Sequence, residues 1–85
     1  MTNEMRKLLI LFDRTVLDNW NRDGSWTCVE DVKPHLLRVC KSFGLADVAI
    51  KLTDEVVKLA YKTGLYEGVS VIEGVPAWVR PREEK

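Results

Sequence analysis

Few residues in this chain are of a type that does covalent chemistry. There is one histidine, His35, and there are two cysteines, Cys28 and Cys40, standing 12 positions apart. A structural zinc site needs four ligands, so this set is incomplete. His35 has no cysteine or serine at a mechanistically useful spacing for nucleophilic catalysis. Free cysteine is among the most buried residue types, so the two thiols read first as small core residues. A disulfide between them is the main alternative, and a metal the lesser one. The five glycines stand singly, with no glycine-rich phosphate loop among them. Acidic residues occur at helical spacing, but with lysines between them, which is how a solvated helix face looks. We therefore expect no enzyme, no metal, no cofactor and no small-molecule ligand.

What is left is recognition by charge, and the lysines that could do it sit on one segment. Stepping 100° per residue over 47–63 puts Asp47, Lys51, Asp54, Glu55, Lys58 and Lys62 within a sector of roughly 100°. Val48, Ala49, Ile50, Leu52, Val56, Val57, Leu59, Ala60 and Tyr61 cover most of the rest. A helix so apolar should be covered on more than one side. Thr53 could cap a fresh start, but the apolar register runs through it, so one helix over 46–63 is expected, stopped by Gly64. Val69-Ser70-Val71-Ile72 and Val75-Pro76-Ala77-Trp78-Val79 then flank Glu73-Gly74, the pattern of a β-hairpin. Pro76 cannot donate to a ladder, which suggests an edge strand. Trp78 either packs the hairpin on the helices or anchors a partner.

The elements upstream look built to bury that helix. Met5, Leu8, Leu9, Phe12, Val16 and Trp20 recur at steps of three and four, an amphipathic helix capped by Asn3 and running to about Trp20. Ile10 and Leu17 lie off that stripe on a line of their own. They either pack on the hairpin or third helix, or form a homodimer contact. Residues 21–25 are a loop by composition, and Trp26-Thr27-Cys28 is β-prone enough for a brief strand. A second helix begins within 29–31. Thr27 with Glu30 fits a capping box, whereas Asp31 as cap would put Pro34 in the first turn, where its missing N–H costs nothing. Val32, Leu36, Val39, Cys40 and Phe43 form its buried stripe, and Gly44 ends it.

The fold class expected is α+β, mainly α: three helices followed by a C-terminal β-hairpin, with a short strand at 26–28. Residues 1–80 make one domain, and 81–85 a charged, flexible tail. The chain has 85 residues, 46% hydrophobic and 31% charged, enough for one modest core. Thirteen basic residues balance thirteen acidic ones, so composition gives no support for phosphate binding unless the bases cluster. No apolar run reaches the roughly 18 residues of a membrane span, and the chain reads as cytoplasmic.

The order of helix, short strand, helix, helix and hairpin resembles the winged helix-turn-helix superfamily. The resemblance is carried by Trp26-Thr27-Cys28 as first strand, 29–43 as second helix, 46–63 as third and 69–79 as wing. It implies a third helix in the major groove of double-stranded DNA and a wing on the backbone. By that resemblance Lys51, Lys58 and Lys62 meet DNA. Arg38 and Lys41 add phosphate contacts, and Arg80 and Arg82 stand at the base of the wing. The function implied is a DNA-binding transcriptional regulator, acting as a homodimer through Ile10 and Leu17. The alternative is a protein-interaction module on the same frame. Asp47, Asp54 and Glu55 among the lysines, and Glu73 at the turn, suit that alternative.

Overall fold

The computed structural model describes residues 2–82. Among them the chain forms α1 (Asn3–Asp23), β1 (Thr27–Cys28), α2 (Val29–Ser42), a 3₁₀ turn (Ala46–Val48), α3 (Ala49–Lys62), β2 (Tyr66–Val69) and β3 (Trp78–Pro81). The strands make an antiparallel sheet in the order β1-β3-β2. The α+β, mainly α class expected from the sequence is the one observed. No helix of the described residues is long and apolar enough to cross a membrane.

Each helix forms where its apolar spacing put it, and the ends differ in detail. Thr2, not Asn3, caps α1: its hydroxyl accepts from the Met5 N–H at 3.2 Å. The helix passes Trp20 and ends at Asp23, where Gly24 turns left-handed and its N–H returns to the Trp20 carbonyl. α2 begins at Val29 with no side-chain cap. Thr27 is not the capping residue expected, because its hydroxyl accepts from Asn19 Nδ2 at 2.9 Å inside the sheet. The sheet itself starts the helix: the Val29 N–H donates to the Ala77 carbonyl at 2.9 Å. Pro34 therefore lies beyond the first turn. Glu30 and Pro34 are both exposed, so water can take the carbonyl the proline leaves unpaired. Thr53 is buried within α3 rather than capping it, and only the first turn of the expected helix departs, tightened to 3₁₀ geometry.

The hairpin departs more. Glu73 (φ 52) and Gly74 (φ 80) are the central pair of a two-residue turn, with Ile72 and Val75 exchanging hydrogen bonds at 3.0 and 2.9 Å. Positive φ at both positions is the type I′ geometry that matches strand twist. The regular ladder, however, sits farther out, pairing 66–69 with 78–81. Pro76 is not on an edge strand: β3 is the central strand, and Pro76 lies just outside it, fully buried. Gly68 permits that burial, since a Cβ there would come within 2.5 Å of Tyr61 Cε1 and 3.0 Å of Pro76 Cβ. Pro81, expected in the tail, pairs with Tyr66, and the Arg82 N–H donates to the Leu65 carbonyl. The remainder of the expected tail, 83–85, lies outside the described residues.

The core lies between the three helices and the inner face of the sheet. Leu8, Phe12 and Val16 of α1, Val29, Val32, Leu36 and Cys40 of α2, and Val56, Val57 and Ala60 of α3 meet Tyr66 and Val79 there. Tyr66 meets Phe12 edge-to-face at 5.7 Å, and its hydroxyl donates to Asp13 Oδ1. Both cysteines are free thiols: Cys40 is buried with Sγ 4.0 Å from Thr53 Oγ1, and Cys28 is half-buried.

Candidate nucleic-acid interface

α3 turns Ala49, Thr53, Val56, Val57 and Ala60 into the core. At 100° per residue, Lys51, Lys58 and Lys62 fall on the opposite side, in one line. All three are exposed, and none forms an ion pair among the described residues. At about 1.5 Å per residue the line is about 16 Å long, close to five nucleotide steps of about 3.4 Å. α3 packs against α1, α2 and β2, covered on more than one side as its composition suggested. Ile50 is 74% exposed at its first turn, next to the lysine line.

The acidic residues of this face are not equivalent. Asp54 is held by Lys33 of α2, Nζ to Oδ1 at 3.3 Å, while Lys33 also reaches Glu30 at 3.2 Å. Partial burial disfavours the ammonium, but the hydrogen bonds to Glu30 and Asp54 outweigh it and raise the Lys33 pKa. Asp54 therefore brings a neutralised charge to the lysine face. Asp47 and Glu55 are exposed and unpaired among the described residues. The Lys33–Asp54 pair has no local sign in the sequence, because the two residues belong to different helices.

The turn between α2 and α3 spans 43–45, with Gly44 left-handed at φ 78. A glycine-bearing turn of this length between two helices is typical of helix-turn-helix units. The hairpin tip comes to the same side: a Cβ built on Gly74 would lie 3.9 Å from Lys58 Cγ. Lys51, Lys58, Lys62 and the tip thus share one surface. Arg38 and Lys41 are exposed on α2, likewise without ion pairs among the described residues.

The remaining candidates sit elsewhere. Arg80 points its guanidinium at two indoles, 5.1 Å from the Trp20 ring centroid and 5.5 Å from that of Trp26. Its Nη1 donates to the Pro81 carbonyl at 3.0 Å. Arg82 is paired with Glu67 at 3.5 Å and donates to the Tyr66 carbonyl. Ile10 and Leu17 are 51% and 37% exposed, and Ile10 lines a groove with Ala60 of α3 and Tyr66 of β2. Trp78 is exposed as well, and Val79 is the inward residue of that strand. His35 is exposed and borders a shallow groove of about 300 Å³ with Asn19, Cys28, Asp31 and Trp78. No protein-family model, curated protein or solved structure matches this chain.

Proposed function

We propose that the protein binds double-stranded DNA through the lysine face of α3, as a small transcriptional regulator acting as a homodimer. One observation carries this reading: three lysines without an ion pair among the described residues stand in line on the exposed side of the helix, and one acid among them, Asp54, is tied to Lys33. Zero net charge is no obstacle, since phosphate affinity depends on where the bases lie. The winged helix-turn-helix resemblance is supported by the glycine turn between α2 and α3 and by the hairpin tip beside Lys58. Arg38 and Lys41 supply further phosphate contacts. Arg80 and Arg82 act chiefly within the fold, through Trp20, Trp26 and Glu67. The role is binding without catalysis. The free thiols of Cys28 and Cys40 suit a reducing compartment, and we place the protein in the cytoplasm. Fluorescence anisotropy with a random-sequence duplex tests the reading: Lys51→Glu or Lys58→Glu should abolish binding while circular dichroism stays unchanged.

A second reading is favoured by Ile50 in the first turn of α3 and Ile72 beside the hairpin turn, each 74% exposed. Apolar residues so open suit a protein partner. Under it, both lysine variants are silent and Ile50→Asp removes the contact.

A further inference from the structure

A shallow apolar groove of about 270 Å³ runs between α1 and the corner where α3 meets β2. Leu9, Ile10, Ala60 and Leu65 supply its apolar lining, and Arg6 and Asp13 are its charged members. Leu65 is 59% exposed and Ile10 51%, so the groove leaves sizeable apolar side chains open.

The charges beside it are placed for a copy of the same helix. Arg6, Ile10, Asp13 and Leu17 follow one another at steps of four, three and four, which is a single line on α1. Arg6 is exposed and makes no ion pair among the described residues. Asp13 is fixed in position, because the Tyr66 hydroxyl donates to its Oδ1 and leaves Oδ2 outside that bond. When two helices lie antiparallel about a two-fold axis, a residue four places before the axis meets one about four places after it. With the axis beside Ile10, Arg6 stands four before and Asp13 three after. The mismatch of one residue is about 1.5 Å along the helix, within reach of an arginine.

We propose that this groove is the seam of a two-fold dimer, with Ile10 against the partner's Ile10 and Arg6 of each copy paired with the partner's Asp13. The contact is isologous: one surface serves both copies and every ion pair occurs twice. A foreign helix would need its own matching pair of charges, whereas a second copy carries them in register. Leu65 borders the seam and closes its apolar part. The proposal deepens the homodimer in the proposed function but does not depend on DNA, so each can fail alone.

Sedimentation of the intact protein from about 1 µM to 500 µM, without DNA, tests it. Wild type should be dimeric at the upper end. Arg6→Glu and Asp13→Lys should each weaken association by about tenfold, since each turns two attractions into two repulsions. The double variant Arg6→Glu/Asp13→Lys should recover most of the loss, which a merely structural effect would not do. Ile10→Asp should give a folded monomer by circular dichroism. A wild type that stays monomeric throughout would overturn the proposal and leave the groove to another occupant. So would a dimer indifferent to Arg6→Glu, or two single variants whose losses add in the double.

Discussion

Lys33 Nζ lies 3.3 Å from Asp54 Oδ1, joining α2 to α3 beside the lysine line. The pair is partly exposed, so its worth to stability is small, about 0.5 kcal/mol. Its bearing on recognition is larger. Under the proposed function it cancels one of the acids that would face phosphate beside Lys51 and Lys58, and removing Asp54 frees the Lys33 charge. Asp54→Asn should therefore tighten duplex binding by about threefold at low salt and leave stability within about 0.5 kcal/mol, both read by anisotropy and urea melts. Weaker binding after that change would mean that Asp54 has a contact of its own.

Tyr66 makes folding sensitive to alkali. Burial, and then its bond to the Asp13 carboxylate, raise its pKa above the ordinary 10.0. A raised phenol favours the protonated form in the folded state. Its contribution is complete below pH 10.0 and is lost as pH rises beyond it, because the unfolded chain releases that proton first. Lys33 acts in the same direction, with a pKa raised above 10.5. Thermal melts should fall steeply above about pH 10, and Tyr66→Phe should flatten that fall while costing about 1–2 kcal/mol at neutral pH.

Gly68 is needed for want of a side chain. A Cβ at 2.5 Å from Tyr61 Cε1 and 3.0 Å from Pro76 Cβ would force the ring or the proline to shift. Gly68→Ala should cost about 1–3 kcal/mol in urea denaturation, as overpacking does. A neutral result would show that the Tyr61 ring moves freely.

Arg80 separates fold from function. Its guanidinium lies within reach of both the Trp20 and Trp26 rings, and removing a cation from two indoles should cost about 1 kcal/mol. Arg80→Ala should lower the melting temperature and shift tryptophan fluorescence, with duplex affinity changed by less than about twofold. A large loss of affinity in a folded Arg80→Ala protein would return this residue to the interface.

The helices were legible in the sequence because their signals are local. Leu8, Phe12 and Val16 are spaced for one buried face, and Gly24, Gly44 and Gly64 stand at the three helix ends. The turn at Glu73-Gly74 was legible for the same reason. The strand 66–69 was not, since Tyr66-Glu67-Gly68 carries a glycine where strands seldom do, and its place is set by pairing with 78–81. Pro76 misled in a similar way. Its missing N–H marks a break in the ladder, and an edge strand is only one place where a break is tolerated.

The lysine line could be read from spacing alone, because one helix carries all of it. What surrounds it could not. Lys33 reaches Asp54 across two helices, and Arg80 is drawn to two tryptophans from separate elements. The Asp13–Tyr66 bond joins residues 53 apart in the chain. Such contacts depend on tertiary packing, and charge patterns in a sequence do not show which partners will be near.

The most direct test of DNA recognition by α3 is anisotropy of a labelled random-sequence duplex across a salt series, with wild type and Lys58→Glu side by side. Wild type should bind with micromolar affinity at low salt. Three lysines on phosphates should make log K fall against log salt with a slope of about −3 or steeper. Lys58→Glu should lose nearly all of the binding while remaining folded. Absence of binding at low salt, or binding that Lys58→Glu leaves intact, would contradict it.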